Sequence, residues 1–260
     1  MLQLVIPARN EQERLPRTLR DLRRHVRDQR SLARPVQVIV VDNASTDDTA
    51  AVARAADSAA LPVRVIGCPI PGKGAAVRAG IAATDAPIVG FMDADGATRL
   101  DALEEAGRRL ALGADVAIGS RGAAGATTAS RHSWLRERGA RTYRACTARV
   151  VPGVIDTQCG FKLMNGDLGR RVFARLRTAG FSFDVEMLAL AQAYGARIDE
   201  FPVTWADVPG STFDPLRHGA CSFADLALIA WRARRDRVTR PVALPASAAL
   251  SALPTVAAEA

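Results

Sequence analysis

The sequence predicts an α/β protein in which a mostly parallel β-sheet is covered by helices on both faces. Over about the first 120 residues, short apolar runs alternate with longer helical segments, a pattern typical of repeated strand–helix units. The apolar runs are continuous, as expected for strands buried on both sides. With 260 residues, of which 48% are hydrophobic and 24% charged, the chain is long enough for a sizeable soluble core.

The first half of the chain contains five predicted strands. Each is a short apolar run, rich in Val, Ile or Leu, and several end abruptly in polar residues. Such runs are typical of buried strands in a parallel sheet. We expect the strands at Leu2–Ile6, Val36–Val41, Val63–Gly67, Ile88–Met92 and Asp115–Gly119.

Four predicted helices alternate with these strands. The first has leucines at the three-to-four-residue spacing of a buried helix face. The second follows a polar loop in which Ser45 or Thr46 is the expected N-cap, and it should extend to about Ala59. The third should end near Thr84, and the fourth should span Leu100–Leu112.

The second half of the chain is less regular. We expect one domain over residues 1–240, followed by a disordered tail of alanine and scattered proline at 241–260. Within the domain, the pattern predicts a mobile loop, several helices and two extended segments. The loop is expected at Gly122–Ser130, the helices at Trp134–Val150, Leu168–Leu176, Val185–Tyr194 and about 220–235, and the extended segments at Ile155–Met164 and Arg197–Thr204.

Three polar loops, after Ile6, Val41 and Met92, follow predicted strands and should meet at one edge of the sheet. Ligands of parallel α/β sheets bind outside the carboxyl ends of the strands, so this edge is the expected site. Asp93 and Asp95 are two residues apart at a strand end, so their side chains can face one point. Mg²⁺ and Mn²⁺ prefer such oxygen ligands together with substrate phosphates. The other interpretation of this pair is a polar turn after a strand.

The net charge of +8 favours anionic partners such as phosphorylated substrates, an anionic membrane surface or nucleic acid. A nucleic-acid-binding module is disfavoured because the basic residues are not interleaved with aromatic ones.

The four cysteines form no C-x-x-C pair, which argues against zinc and favours free thiols in a reducing cytosol. A strand-like run at the N-terminus predicts no signal peptide, and no apolar stretch reaches the ~18 residues of a membrane helix. We therefore expect a cytoplasmic protein whose membrane contact, if it has any, is peripheral.

The loop sequences resemble those of family-2 glycosyltransferases with the GT-A fold, a Rossmann-like fold of nucleotide-diphospho-sugar transferases. Within that family the likeness is to dolichyl- or polyprenyl-phosphate hexose synthases, and most to the dolichyl-phosphate glucosyltransferases. The most specific of the matching segments is Asp156–Lys162. The others are Val5–Glu11, Val40–Asp47, Gly72–Arg78, Met92–Asp95, Gly119–Arg121, Phe183–Glu186 and Gly210–Ser211.

The resemblance implies that residues 1–120 bind the nucleotide and residues 121–240 the acceptor. Asp95 would hold Mg²⁺ or Mn²⁺ on the diphosphate, and Asp93, a second candidate ligand, would bond the ribose. Asp42 would accept a hydrogen bond from the uracil or guanine ring. The implied nucleotide-sugar contacts are Pro7, Ala8, Glu11, Asp42, Lys73, Asp93, Asp95 and Gln158.

On the acceptor side, the resemblance implies that Arg121 and Arg131 contact a phosphate, whose oxygens match the guanidinium fork. A phosphate monoester acceptor has a second pKa of about 6, so it is a dianion at neutral pH and needs no strong base. A hydroxyl acceptor would need one. The implied catalytic residues are Asp95, Arg121, Arg131, Asp184 and Glu186, and the last two are the candidate bases.

The implied reaction is inverting transfer of a hexose from an NDP-sugar, with UDP-glucose favoured, to dolichyl or polyprenyl phosphate. In that case the basic face would dock on anionic lipid. The alternative is a soluble glycosyltransferase that acts on a small-molecule or specialised-metabolite acceptor. A sugar nucleotidyltransferase is disfavoured, because such enzymes open with a glycine-rich loop after the first strand and Pro7–Glu11 contains no glycine.

Each implied site residue also has a purely structural interpretation. Glu11 is a candidate first-turn helix acid, Asp42 a turn residue, Lys73 a solvated helix start and Arg131 a surface charge. Asp184 and Glu186 are compatible with a solvated helix turn. The chain also departs from its relatives in two places. The second loop has Asn43-Ala44 where relatives usually have Asp-Gly, and Thr212 follows Gly210-Ser211 where relatives usually have lysine.

Overall fold

A parallel four-stranded region forms one side of the central sheet. The computed structural model describes residues 1–29, 35–129, 134–208 and 222–233. The strands β1 (Leu2–Ala8), β2 (Val36–Asp42), β3 (Val63–Gly67) and β4 (Ile88–Phe91) pair in the order β3-β2-β1-β4. In the β1–β2 register, Ile6 lies beside Val40 and Ala8 beside Asp42. The polar residues that follow both strands therefore emerge at the same edge.

Three further strands complete the sheet, and one of them runs against the others. They are β5 (Val116–Ser120), β7 (Lys162–Asn165) and β8 (Ile198–Pro202). β7 lies between β4 and β5 and is antiparallel to both, whereas β5 and β8 are parallel. The full order is β3-β2-β1-β4-β7-β5-β8, which confirms the predicted mostly parallel sheet. A separate two-stranded sheet pairs β6 (Thr127–Ala129) with β9 (Thr204–Ala206).

Helices cover both faces of the sheet. Val5 of β1 packs in one hydrophobic cluster, whereas its neighbours Leu4 and Ile6 pack in another on the opposite face. The first cluster includes residues of α3, α6 and α7, and the second those of α1 and α4. The helices are α1 (Leu15–Asp28), α2 (Thr49–Ala55), α3 (Lys73–Ala82), α4 (Ala102–Ala111), α5 (Trp134–Val150), α6 (Gly166–Arg175) and α7 (Phe183–Ala193), and residues 222–233 are also helical.

Several local expectations are wrong. Neither Ser45 nor Thr46 is the N-cap of α2, which begins at Thr49, because the polar loop turns back to bind Asn10 instead. α2 also ends at Ala55 rather than near Ala59, where a turn over residues 58–61 leads into β3. The segment Gly122–Ser130, expected to be a mobile loop, contains β6.

Other expectations fall on residues that the structure does not describe. These are Arg131, the segment Gly210–Thr212 and the tail at 241–260. Among the described residues, every helix is too short or too polar to cross a membrane.

Candidate functional site

The loops after β1 and β2 are hydrogen-bonded to each other at the carboxyl edge of the sheet. The backbone N–H of Thr46 donates to Asn10 Oδ1 at 2.9 Å, and the N–H of Glu11 donates to Thr49 Oγ1 at 2.8 Å. Asn10 has a left-handed backbone with φ of 55°, which asparagine tolerates better than most residues. Two of the three loops predicted to meet are thus in direct contact.

Asn43 connects the loop after β2 to the turn that precedes α3. Its Nδ2 donates to the carbonyl of Ile70 at 2.7 Å, and its Oδ1 accepts from the N–H of Gly72 at 2.8 Å. Gly72 has φ of 125°, and a Cβ there would meet the carbonyl oxygen of Ala179. The position of this turn, and hence of Lys73 at the start of α3, is fixed from both sides.

Lys73 pairs with Asp93, the first of the two carboxylates that follow β4. Its Nζ is 2.5 Å from Asp93 Oδ1, and its side chain is only 17% exposed. Although burial opposes the charged form, Asp93 and Asp184 raise the pKa of Lys73 above its ordinary value. Asp95 accepts the N–H of Ala97 at 3.0 Å. Burial, followed by the charge of Asp93, raises the pKa of Asp95.

The charge around Asp95 fits a divalent cation. Burial first, and then the charges of Asp95 and Asp93, raise the pKa of Glu11, although its pairing with Arg14 opposes the change. Asp93 and Asp95 are thus close enough to Glu11 to raise its pKa, and a cation would offset this negative charge. Within the described ranges, no group of three or more His, Cys, Asp or Glu side chains is arranged to hold a metal ion. Two carboxylates are nevertheless the usual protein contribution to a metal that also binds a diphosphate.

Gly160 lies directly behind Asp93. A Cβ added at Gly160 would be 1.9 Å from Asp93 Oδ2 and 2.7 Å from Oδ1, so any larger residue here would displace the Asp93 carboxylate. The carboxylate of Asp93 is therefore held between the Gly160 backbone and the ammonium group of Lys73. Sequence reasoning did not single out Gly160, although it belongs to the Asp156–Lys162 segment.

Asp184 forms an ion pair with a buried lysine. Lys162 Nζ is 2.6 Å from Asp184 Oδ1, and the two side chains are 0% and 3% exposed. The same ammonium donates to the carbonyl of Cys159 and lies 5.3 Å from the centre of the Phe91 ring. The pKa of Asp184 lies above its ordinary value, because burial raises it by more than the charges of Lys162 and Lys73 lower it. The structure therefore places this candidate base in the interior, next to Lys73.

Glu186 caps a backbone segment. Its Oε2 accepts the N–H groups of Arg177 and Thr178 at 3.1 and 2.7 Å. Its Oε1 lies 3.5 Å from Arg232 in the helical segment 222–233. The segment that it caps touches the turn before Lys73, since a Cβ at Gly74 would meet the carbonyl of Thr178. Like Asp184, Glu186 is held by protein groups.

Arg121 forms a two-pronged ion pair with Asp156. The guanidinium Nε and Nη2 donate to Oδ2 and Oδ1 at 2.7 and 2.9 Å, and the Arg121 N–H donates to Oδ2 at 3.0 Å. Burial would raise the pKa of Asp156, but the hydrogen bonds and charge of Arg121 lower it below its ordinary value.

The other predicted contacts lie around the same edge. Pro7 and Ala8 end β1, and Asp42 Oδ1 accepts the N–H of Ser45 at 3.2 Å. Gln158 Nε2 is buried without a hydrogen-bond partner among the described residues, so it has capacity for a ligand. Sequence reasoning missed the roles of Asn43, Gly160 and Lys162. The last two were detectable only as parts of the specific Asp156–Lys162 segment.

Comparisons with known proteins agree with this arrangement. Residues 3–167 match the model of the family described as "Glycosyl transferase family 2". Human dolichyl-phosphate beta-glucosyltransferase is 31% identical over 255 residues, which cover 91% of this chain and 79% of the human protein. The Drosophila melanogaster protein of the same name is 34% identical, covering 82% of this chain and 69% of the fly protein.

Two kinds of solved structure share the fold. Glucosyl-3-phosphoglycerate synthase from Mycobacterium tuberculosis, in complex with Mn²⁺ and UDP-glucose, has a TM-score of 0.66 at 19% identity, covering 88% of this chain and 78% of that one. Mannosyl-3-phosphoglycerate synthase from Rubrobacter xylanophilus has a TM-score of 0.60 at 16% identity, covering 95% and 78%. The extent of the family match and the identity to a relative that is covered over 79% of its length lead to one conclusion: this chain is a member of glycosyl transferase family 2.

Proposed function

We propose that this protein transfers glucose from UDP-glucose to a polyprenyl phosphate, with inversion at the sugar carbon. The observation that carries the proposal is the cluster of Lys73, Asp93 and Asp95 at the carboxyl edge of the sheet. It occurs in a chain whose curated relatives are dolichyl-phosphate beta-glucosyltransferases. Lys73 and the carboxylates would bind the donor at this edge, where parallel α/β sheets bind ligands.

Asp95 and Asp93 would hold a divalent cation, Mg²⁺ or Mn²⁺, on the donor diphosphate. When bound, the cation would stabilise the negative charge of the departing nucleoside diphosphate. Lys73 pairs with Asp93, so Asp95 has the greater free capacity and is the principal ligand in this proposal. Lys73 itself would contribute positive charge on the same side of the diphosphate.

The environments of Asp184 and Glu186 favour a phosphate acceptor over a hydroxyl. Both carboxylates are buried and bound by protein groups, so neither is well placed to remove a proton. A phosphate monoester is already a dianion at neutral pH and needs orientation rather than a base. In this proposal Arg121 and Arg131 orient the acceptor phosphate, and the Asp184–Lys162 pair supports the site.

A lipid acceptor is also supported by the helical segment 222–233. Phe223 and Leu228 are 39% and 43% exposed, and the alanines at 224 and 227 extend the same exposed apolar stripe. The neighbouring helix α5 exposes Arg141, Arg144 and Arg149. An apolar stripe flanked by arginines is suited to a peripheral contact with anionic lipid.

The test is an assay with UDP-[¹⁴C]glucose, a polyprenyl phosphate and Mn²⁺ or Mg²⁺, with the product extracted into organic solvent. We expect radioactive lipid from the wild type, and none after removal of the metal with a chelator. UDP-glucose at a hundred times its dissociation constant should stabilise the wild type by about 2.7 kcal/mol, and Asp95→Ala should lose the metal-dependent part of this stabilisation. A wild type that makes only water-soluble product, from a panel of small phosphates and alcohols, would replace this proposal with the soluble-acceptor alternative.

A further inference from the structure

Trp205 on β9 lies between the loop that carries Asp95 and the side chain of Arg121. Its backbone forms an isolated antiparallel bridge with Thr98. Hydrogen bonds on either side reinforce the bridge, from the N–H of Arg99 to the carbonyl of Thr204 and from the N–H of Ala206 to the carbonyl of Ala97, both at 3.0 Å. The position of Trp205 is therefore tied to the loop that follows Asp95.

The indole ring of Trp205 faces the guanidinium group of Arg121. The guanidinium carbon is 5.5 Å from the ring centre, within the range of a cation–π contact. Arg121 is thus held at one edge by Asp156 and on one face by Trp205. An arginine fixed in this way has already lost the side-chain freedom that it would otherwise lose on binding an anion.

Glu200 on β8 fixes the backbone that carries Asp156, the ion-pair partner of Arg121. Its two carboxylate oxygens accept the N–H groups of Ile155 and Asp156 at 2.7 and 2.8 Å. Asp156 is only 6% exposed, so its carboxylate is held by buried hydrogen bonds. Glu200 therefore positions the backbone of Asp156, and Asp156 positions Arg121.

The Arg121 guanidinium retains hydrogen-bonding capacity. Its Nε and Nη2 donate to Asp156, and Nη1 has no hydrogen-bond partner among the described residues. The Arg121 side chain is 33% exposed, so an anion can reach it. The partly buried Trp205 packs against the hydrophobic cluster that contains Leu4 and Ile6, and its ring covers one face of the Arg121 guanidinium.

We propose that Trp205, with Asp156 and Glu200, is a positioning residue that holds Arg121 for the acceptor phosphate at a fixed distance from the donor loop. This inference rests on the proposed function. It adds that Trp205 connects the donor and acceptor sides, since its backbone on β9 is bridged to the loop that follows Asp95 and its ring contacts Arg121.

The test compares Trp205→Phe with Trp205→Leu. Phenylalanine keeps an aromatic face, whereas leucine keeps only apolar bulk. We expect Trp205→Leu to raise the acceptor KM by about 5- to 30-fold, which corresponds to the 1 to 2 kcal/mol of a partly desolvated cation–π contact. Trp205→Phe should restore most of this loss, and the donor KM should change less than about twofold, since the inference leaves the donor contacts intact. Equal effects of the two variants, or a loss confined to the donor KM, would overturn the inference.

A double-mutant cycle with Arg121→Lys separates positioning from general packing. If Trp205 acts through Arg121, the two substitutions should be strongly non-additive in the acceptor KM, and additive effects would contradict the inference. Asp199→Asn is the matched control. Asp199 neighbours Glu200 on β8 but binds Arg109 on the far side at 3.1 Å, so this variant should leave the acceptor KM unchanged.

A binding measurement distinguishes failure of this inference from failure of the proposed function. Calorimetry with a short-chain prenyl phosphate, added to the protein saturated with UDP and Mn²⁺, gives an acceptor dissociation constant without turnover. Binding by the wild type that weakens in Trp205→Leu and recovers in Trp205→Phe supports the inference, even if the chain transfers a different sugar. Equal binding by all three proteins overturns the inference alone. If the wild type binds UDP but not the prenyl phosphate, the proposal of a lipid-phosphate acceptor is wrong. The proposed role of Trp205 is then wrong as well.

Discussion

Replacement of Gly160 by alanine should disable the donor site while leaving the fold intact. The added Cβ would lie 1.9 Å from Asp93 Oδ2, whereas ordinary van der Waals contacts begin at 3.4 Å. The carboxylate must therefore retreat by about 1.5 Å, which disrupts its 2.5 Å contact with Lys73. Overpacking of this kind costs about 1–3 kcal/mol. If the whole cost falls on the donor-binding geometry, the affinity for UDP-glucose should fall by about 5- to 150-fold.

Isothermal titration of UDP-glucose with Mn²⁺ measures this loss directly, and thermal unfolding without ligand measures the effect on the fold. Gly107→Ala is the matched control. Gly107 lies within α4, and a Cβ there would have nothing within 4 Å. We expect this control to bind the donor normally and to be more stable by about 1 kcal/mol, the usual gain of alanine over glycine in a helix.

One result would refute the reasoning. If Gly160→Ala binds UDP-glucose as tightly as wild type and unfolds at the same temperature, Asp93 is not held against the Gly160 backbone. The arrangement of Lys73, Asp93 and Gly160 described above would then be incorrect.

Three other substitutions test the fold and its electrostatics. Lys162→Met should lower the free energy of unfolding by about 3–5 kcal/mol, because it leaves Asp184 buried and unpaired. The double variant Lys162→Met with Asp184→Leu should recover much of that loss in urea unfolding. Fully additive effects of the two substitutions would contradict the pairing. Ala44→Gly should stabilise the protein by about 1 kcal/mol, because Ala44 has a left-handed φ of 54°; destabilisation in the same assay would place Ala44 in another conformation. Hydrogen bonds from Arg108 and Arg109 lower the pKa of Glu105 from 4.5 to about 2, so Glu105 should stabilise the fold fully above pH 4.5 and lose this effect as the pH falls toward 2. The difference in unfolding free energy between wild type and Glu105→Gln, measured from pH 7 downward, should therefore narrow across that range, and a difference independent of pH would contradict the assignment.

The sheet and the contact between its edge loops were predictable because each depends on local pattern. Continuous apolar runs predicted the parallel strands, and the rule that parallel strands end together predicted contact between the loops after β1 and β2. Asp93 and Asp95 were found because they stand directly after a buried strand. Lys73, at the start of α3, was expected near the nucleotide only from the family resemblance, and its pairing with Asp93 was not predicted.

Contacts between distant segments were not predictable from one sequence. Gly160 meets Asp93 only because β7 is inserted beside β4, and an antiparallel insertion leaves no periodic signal. The pairing of β6 with β9 joins two three-residue strands far apart in the chain, so each was too short to be recognised alone. Ser45 and Thr46 have side chains typical of N-caps, but both residues form hydrogen bonds with Asn10 instead. Asn10 is distant in sequence, so this contact could not be predicted from the local pattern.

The insertion of β7 also determines when the protein can fold during synthesis. β4 has β1 on one side and β7 on the other, yet β7 begins 71 residues after β4 ends. Until those residues leave the ribosome, the nascent chain carries an apolar strand with one unpaired edge, which is a template for association with other chains. A fragment that ends near residue 120 would keep this open edge permanently. We therefore expect such fragments to aggregate, and the segment Lys162–Asn165 to be the shortest addition that closes the edge.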